Sequence, residues 1–463
     1  MILSGIAWYI SNGLNGNYWW LLWIAPLPVL IVAFQSSWKK AFAISFIAYL
    51  IGRLSWLGYL INVATLVPAI ISIIALCLVF SLIVLISRYV VLKSGLWKAV
   101  FAYPVFFTIF EFLLQSFSKD GSAASIAYSQ SDFLPLVQIA SVTGIPGITF
   151  FISFIPSAIT IAWLYKKQQK QSRLLIIASI LLFALVITSG IIRLNNATDR
   201  STLKVAMVVL DENLHDMSAH PDTTKALLVA QYYAHEITKL ASRGAALVVL
   251  PERALNISKE AGTAITNLLQ STAKQNNVYI IAGYTNMKNK NDYNSSLVID
   301  ASGNVLDDYN KVHLVTGLEN RFMAGEKTGL FSFKEIQSGT AICKDLDFPG
   351  YIKQYGNSNV EFLCIPAWDF VTDDWLHSRM AILRGVENGF AEVRAARQGR
   401  LTISDAYGRV SAEANCSTGK KTLLEGAVST GKINTIYNEW GDWFGIVNIA
   451  AGICLIVFSK KKK

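Results

Sequence analysis

The chain has 463 residues, 53% of them hydrophobic and only 16% charged, with a formal net charge of +10. Soluble domains carry about a quarter charged residues, so this balance excludes an ordinary soluble protein and indicates a membrane protein. The surplus Lys and Arg fall between apolar runs, which makes them a topology signal before a nucleic-acid one, and no zinc-type or phosphate-loop spacing occurs.

In chain order, apolar segments of near-spanning length stand at 18–35, 41–62, 66–87, 98–117, 145–164, 174–192 and 440–458. Each approaches the roughly 20 helical residues that cross a bilayer core. Residues 2–13 are apolar but short, a thin span or a re-entrant piece; no basic stretch precedes them and no small-residue cleavage site follows, which reads against a cleaved signal peptide. Lys39 and Lys40, then Arg88, Lys93 and Lys98, then Lys166, Lys167, Lys170 and Arg173, and finally Lys460 to Lys463 occupy every second connection and the tail. Cationic loops stay cytoplasmic, so the pattern predicts an inside C-terminus, with the loop 118–144 and everything from 200 to 435 outside. Eight spans follow if 2–13 crosses. The predicted organisation is a transmembrane bundle over 1–195 of about seven spans, an exported domain over 203–433, and a closing transmembrane helix over 440–458.

From 203 the pattern changes to short β-rich runs alternating with amphipathic helices. Strands are predicted at 203–211, 245–252, 278–283, 295–300, 329–333, 339–343, 360–366, 392–397 and 401–405, and helices at 221–244, 260–275 and 375–389. "DASGNV" (300–305) and "DAYGRV" (405–410) read as hairpin-like turns before further strands. The outer part is therefore a layered α/β domain.

Three polar residues stand at strand ends, where layered α/β folds build their sites: Glu252 after "VVLP", Lys311 in "YNKVHLV" and Cys343 after "GTAI". A cation lowers a thiol's pKa, a carboxylate takes its proton, and a lysine steadies the oxyanion of a tetrahedral intermediate. Cys343 is otherwise a buried filler, as cysteines usually are. The outer domain holds Cys343, Cys364 and Cys416, an odd number, so at least one stays free within the chain; a Cys343–Cys364 disulfide is the competing arrangement.

These residues resemble the membrane-bound apolipoprotein N-acyltransferases, whose outer domain has the nitrilase (carbon-nitrogen hydrolase) fold. The resemblance rests on an ordered set: "PVFFTIFEFL" (104–113), "YSQSDFLPLVQIASVTGIPGITF" (128–150), "LVVLPE" (247–252), "YNKVHLV" (309–315), "ICKD" (342–345), "AWDF" (367–370) with "HSRMAILRGVENG" (377–389), and "YNEWGDWF" (437–444). It implies a multi-span α-helical membrane domain with an exported αββα sandwich. It further implies Glu252 as general base, Lys311 as oxyanion-stabilising lysine, Cys343 as acyl-accepting nucleophile, and Glu319 as auxiliary glutamate. Asp345 keeps a carboxylate where the family has Glu, whereas Lys344 replaces the family's Tyr, "TGLE" (316–319) replaces "PFGE", and 211–222 lacks the expected Trp.

The implied reaction moves an acyl chain from a membrane phospholipid, through a cysteine thioester, to the N-terminal amine of a diacylated apolipoprotein, at the periplasmic side of a bacterial inner membrane. It needs no metal or organic cofactor and no nucleic acid. The alternative is a membrane-anchored amidase that passes the acyl group to water. A substrate entrance is expected around Trp368, Trp375 and Glu111. Glu111, ionisable inside an apolar span, is either functional or a carboxylate reaching water at its helix end, and Arg53 shares that ambiguity. Trp368 and Trp375 double as interfacial anchors, the reading also given to Trp440 and Trp443. His377 and Glu387 read as braces, and Arg394 and Arg397 as members of structural ion pairs.

Overall fold

The computed structural model describes residues 1–196, 201–219, 222–287 and 291–459. The basic tail Lys460 to Lys463 and the Pro221 start of an expected helix lie outside these residues. The chain divides into two units, Met1–Ala197 with Trp440–Lys463, and Thr198–Glu439.

Among the described residues of the first unit, five helices are long and apolar enough to cross a membrane: Trp38–Ala64, Leu66–Lys93, Leu96–Phe117, Ile145–Leu164 and Gln169–Asn195. The most apolar 18-residue window of Gln169–Asn195 is only 17% buried. A helix that is apolar on its outer surface as well suits a lipid solvent rather than water. Two expected spans differ in form. Residues 18–35 begin as a 3-10 turn, Trp19–Trp23, and become helical only at Pro26–Gln35, where Pro26 and Pro28 occupy the first turn that tolerates proline. The closing helix Trp443–Val457 has 15 residues, and residues 2–13 form the helix Ile2–Ile10.

In the second unit, alternate residues of one strand serve two cores. Strand β1 (Thr202–Val209) turns Val205, Met207 and Val209 to one apolar cluster and Ala206 and Val208 to another, the period-two consequence of a pleated strand. The first sheet comprises β1, β2 (Leu247–Val249), β3 (Leu255–Ser258), β4 (Tyr279–Met287), β5 (Tyr293–Ile299), β6 (Val305–Asn310) and β13 (Thr422–Ser429), ordered β13-β1-β2-β4-β5-β6 with β3 beside β4. The second comprises β7 (Gly329–Phe333), β8 (Ile336–Thr340), β9 (Phe362–Trp368), β10 (Ala391–Arg397), β11 (Arg400–Ser404) and β12 (Val410–Asn415), ordered β12-β11-β10-β9-β8-β7.

Between the sheets lies a cluster built from both, including Met207, Val249 and Ile281 of the first and Phe362, Cys364 and Val393 of the second. Helices Thr223–Ser242 and Gly262–Asn276 cover the outer face of the first sheet. Helices Pro349–Asn357 and Asp374–Asn388 lie against the second. The four layers are therefore α, β, β, α. Both expected turns form hairpins: Asp300 Oδ1 accepts the Ser302 and Asn304 N–H groups, and Asp405 Oδ1 those of Tyr407 and Arg409.

Candidate active site

Glu252 follows the parallel strand β2 and Lys311 follows β6. The nucleophile candidate opens the 3-10 turn Cys343–Asp347 after β8. Parallel strands end on the same edge, so loops distant in sequence arrive at one place. Two of these positions carry unusual backbone. Cys343 has φ +42° and Arg253, next to Glu252, has φ +51°. Left-handed backbone at a non-glycine residue costs on the order of 1 kcal/mol or more and clusters at functional sites. Gly283 on β4 makes room for the Glu252 loop, because a Cβ there would stand 2.2 Å from Pro251 O and 2.8 Å from Glu252 Cα.

Lys311 Nζ donates to Glu252 Oε1 at 2.8 Å and to Glu319 Oε2 at 2.9 Å, all three groups being buried. Asn294, inside β5, donates to the same Glu252 oxygen and to Glu319 Oε1, both at 2.6 Å. Glu319 Oε2 also accepts the Val315 N–H. Glu252 Oε2 is buried and, among the described residues, accepts no hydrogen bond, which leaves it one oxygen for an incoming proton. Burial works against the Lys311 ammonium, but Glu252 and Glu319 outweigh it and hold its pKa well above the ordinary value. Burial likewise opposes ionised Glu319, yet Lys311 and the Val315 N–H bring its pKa below the usual one. The pair is charged at neutral pH.

Cys343 is buried and reduced; all five cysteines are free, so the Cys343–Cys364 disulfide does not form. Cys364 instead fills the core between the sheets. The Cys343 thiol lies 3.6 Å from the Trp368 carbonyl oxygen. Burial and the Glu252 charge push its pKa up to about 11, against the pull of Lys311 and a hydrogen bond with His377. His377 pairs through Nε2 with Asp373 Oδ2 at 3.0 Å. His377 therefore braces the start of its helix through Asp373 and also lies against the Cys343 thiol, a tertiary relation that its place on a helix does not disclose.

Asp345 joins the Cys343 turn to the Lys311 loop. Its Oδ2 accepts the Ile342 N–H at 2.9 Å and the Tyr309 hydroxyl at 2.6 Å, while Oδ1 accepts the His313 N–H at 2.9 Å. Trp368 stands beside the thiol through its backbone, and the Arg397 guanidinium lies 3.9 Å from its ring centroid. Trp375 is buried on helix Asp374–Asn388, with the Arg379 guanidinium 5.6 Å from its ring centroid. Glu111 belongs to the first unit. Its carboxylate accepts Ser125 Oγ, the Ile126 N–H and Thr149 Oγ1 at 2.5–2.9 Å, tying the helix Leu96–Phe117 to the following loop. Arg394 does form an ion pair, with Asp369, and Arg397 one with Glu212.

Ligand atoms of Cys343, Asp369 and His377 lie within 4.8 Å of one another. Both oxygens of Asp369 already accept the Arg394 guanidinium, at 3.0 and 2.5 Å, so the donor set fits a nucleophile's surroundings better than a metal centre. An acid-base oxygen, a fixed ammonium and a reduced thiol together can open an acyl compound by covalent catalysis.

Comparison with known proteins places these features in a family. Residues 204–436 match the carbon-nitrogen hydrolase model and residues 4–158 match the apolipoprotein N-acyltransferase N-terminal domain. An apolipoprotein N-acyltransferase of Geobacter metallireducens is 22% identical, over 96% of this chain and 91% of that protein. A 2-oxoglutaramate amidase of Bacillus subtilis is 29% identical over 35% of this chain and 68% of its own length. Among solved structures, an amidase from Nesterenkonia sp. is 17% identical, with a TM-score of 0.44 over 52% of this chain and 94% of that one. The chain belongs to the carbon-nitrogen hydrolase family, in the membrane-bound apolipoprotein N-acyltransferase group.

Proposed function

We propose that the chain is a lipoprotein N-acyltransferase working through an acyl-enzyme on Cys343. The donor is a membrane phospholipid, and the acceptor is the N-terminal amine of a diacylglyceryl-cysteine lipoprotein. Residues 1–195 and 440–458 hold it in the bacterial inner membrane as a multi-pass protein, with 203–433 as its periplasmic catalytic domain. The alternating Lys and Arg of the connections support this orientation.

The observation that carries the reading is the shared oxygen of Glu252, bonded at once by Lys311 and Asn294, with its second oxygen accepting nothing among the described residues and its charge acting on the reduced Cys343 thiol. Because burial keeps Cys343 protonated at rest, deprotonation accompanies attack. Glu252 takes the thiol proton as sulfur adds to the ester carbonyl, Lys311 steadies the oxyanion, and the proton passes to the departing lysophospholipid oxygen. The acceptor amine then adds to the thioester; Glu252 removes its proton and returns it to sulfur as the amide forms. The cycle divides one slow transfer into two easier ones. Two membrane-held lipid substrates meet in a plane, which supplies proximity.

The deciding experiment is intact-mass analysis after incubation with phospholipid. An acyl adduct on Cys343, labile to hydroxylamine and absent in Glu252→Ala and Lys311→Ala, supports the transferase. The likeness of residues in the outer unit to an amidase motivates the second reading, hydrolysis of small amides. Release of ammonia or free fatty acid without a mass gain on a diacylated lipopeptide would favour that hydrolase.

A further inference from the structure

Beside the nucleophile, three arginines alternate with two aromatic rings. Arg397 lies 3.9 Å from the Trp368 ring centroid, and Arg253 lies 5.0 Å from that centroid. Arg253 is also 5.3 Å from the Phe322 ring centroid, which Arg321 approaches to 4.6 Å. The Trp368 indole is fixed in this row by donating to Gln398 Oε1 at 3.0 Å.

The charges are not equally balanced. Arg397 pairs with Glu212. Among the described residues, neither Arg253 nor Arg321 has an ion-pair partner, and the one side-chain hydrogen bond Arg253 makes is a long one to Thr285, at 3.4 Å. Arg253 is half-buried in left-handed backbone directly after the base. Burial works against the Arg253 guanidinium and brings its pKa below the ordinary value, and the nearby Glu252 and Glu319 charges offset only part of that cost. An aromatic face offsets part of it, since a cation over a ring gains on the order of 1 kcal/mol. The remainder points to an anion arriving from outside. On either side of Arg321, Leu318 and Met323 are exposed apolar side chains, so the anion-seeking group sits within an apolar rim.

We propose that Arg253 and Arg321, spaced by Phe322 and Trp368 beside Cys343, form a subsite for the phosphate of the acyl donor. The inference rests on the transferase reading for its ligand class and adds how the donor is recognised. Guanidinium forks match phosphate oxygens in a way an ammonium does not, and the exposed Leu318 and Met323 suit the apolar part of the same amphiphile. The subsite also sorts the two substrates, because a cationic N-terminal amine is repelled where a phosphodiester is held. Glu252 and Glu319 also attract Arg253; a role confined to balancing them would weaken both lipids equally or neither.

Equilibrium binding of a short-chain phosphatidylglycerol and of the diacylglycerol with the same chains is measured to the full chain in detergent, carrying Cys343→Ala so that no turnover intervenes. Arg253→Gln and Arg321→Gln are each expected to weaken phosphatidylglycerol about tenfold, the range of one charge-assisted contact, and diacylglycerol at most about twofold. Arg321 is exposed, so its replacement puts no folding at stake. Equal weakening of both ligands, or of neither, overturns the subsite. Inorganic phosphate competing as tightly as the lipid would reassign it to free phosphate and overturn the lipid assignment. Arginine-dependent binding in a chain whose intact Cys343 never acquires an acyl group would leave the subsite standing and sink the transferase.

Discussion

Lys311 donates to Glu252 at 2.8 Å from a position almost wholly buried, so the cation that would steady the oxyanion also pins the base. Glu319 accepts from the same ammonium at 2.9 Å. Removing Lys311 strands two carboxylates in the interior, and breaking a buried pair costs about 3–5 kcal/mol. Lys311→Met is expected to lower the melting temperature markedly and to abolish acyl-enzyme formation. Adding Glu319→Gln should restore part of the stability and none of the activity. A melting temperature unchanged by Lys311→Met would show that the carboxylates bind protons instead of the lysine.

Asp345 is expected to act as a positioning residue. Asp345→Ala leaves the Ile342 and His313 N–H groups and the Tyr309 hydroxyl without their acceptor, at about 1–3 kcal/mol for each buried group left unpaired. Because those groups flank Cys343 and Lys311, kcat should fall by more than KM rises. Asp345→Asn keeps one carbonyl acceptor and should fall between Ala and the native chain. Equal kcat in all three proteins, measured as initial rates, would remove the residue from this role.

Much of this was legible from residue order, because strand and helix periods carry it. Strands β1, β9, β10 and β11 and helices Thr223–Ser242, Gly262–Asn276 and Asp374–Asn388 lie within a few residues of where their apolar patterns put them. Strand β12 follows the DAYGRV turn as expected, whereas β13 escaped because its residues are mostly half-exposed, with no clean alternation, and it pairs with β1 across more than two hundred residues. The polar strand ends at Glu252, Lys311 and Cys343 were visible, and β6 and β8 bring the last two to the site. Asn294 was not: a single amide in "YNSSLVI" has no local mark of holding two glutamates. Nor did sequence order show that Arg253 and Arg321 share one aromatic ring.

The thiol supplies a pH test. With its pKa pushed up to about 11 by burial and Glu252, the thiolate fraction grows about tenfold per pH unit through the neutral and mildly alkaline range. Alkylation of Cys343 by iodoacetamide should therefore keep climbing to about pH 10, whereas an ordinary thiol levels off near 8.5. The raised value also fixes the sign for stability: the neutral thiol's contribution is complete below the unfolded thiol's pKa and is lost as pH rises through the folded one. His377→Gln removes the histidine's hydrogen bond with sulfur and should shift the alkylation curve further upward, with Asp373→Asn moving it less. A purely structural His377 would change the melting temperature and leave that curve in place.

Gly283 offers a test of the base's position that touches no charged group. A Cβ at this residue would stand 2.2 Å from Pro251 O and 2.8 Å from Glu252 Cα, both backbone atoms that cannot swing aside. Gly283→Ala must therefore displace the Glu252 loop or spread β2 from β4. A shift of about 1 Å in a catalytic group costs on the order of a hundredfold in rate. Acyl-enzyme formation should fall by about that factor, while iodoacetamide still reaches Cys343 at close to the native rate, since the thiol sits on a different loop. Gly350→Ala provides the comparison, because its Cβ would meet no atom within 4 Å. If Gly283→Ala slowed alkylation and acylation equally, the change would have spread through the domain, and the close approach of β4 to the base would not be what sets Glu252 in place.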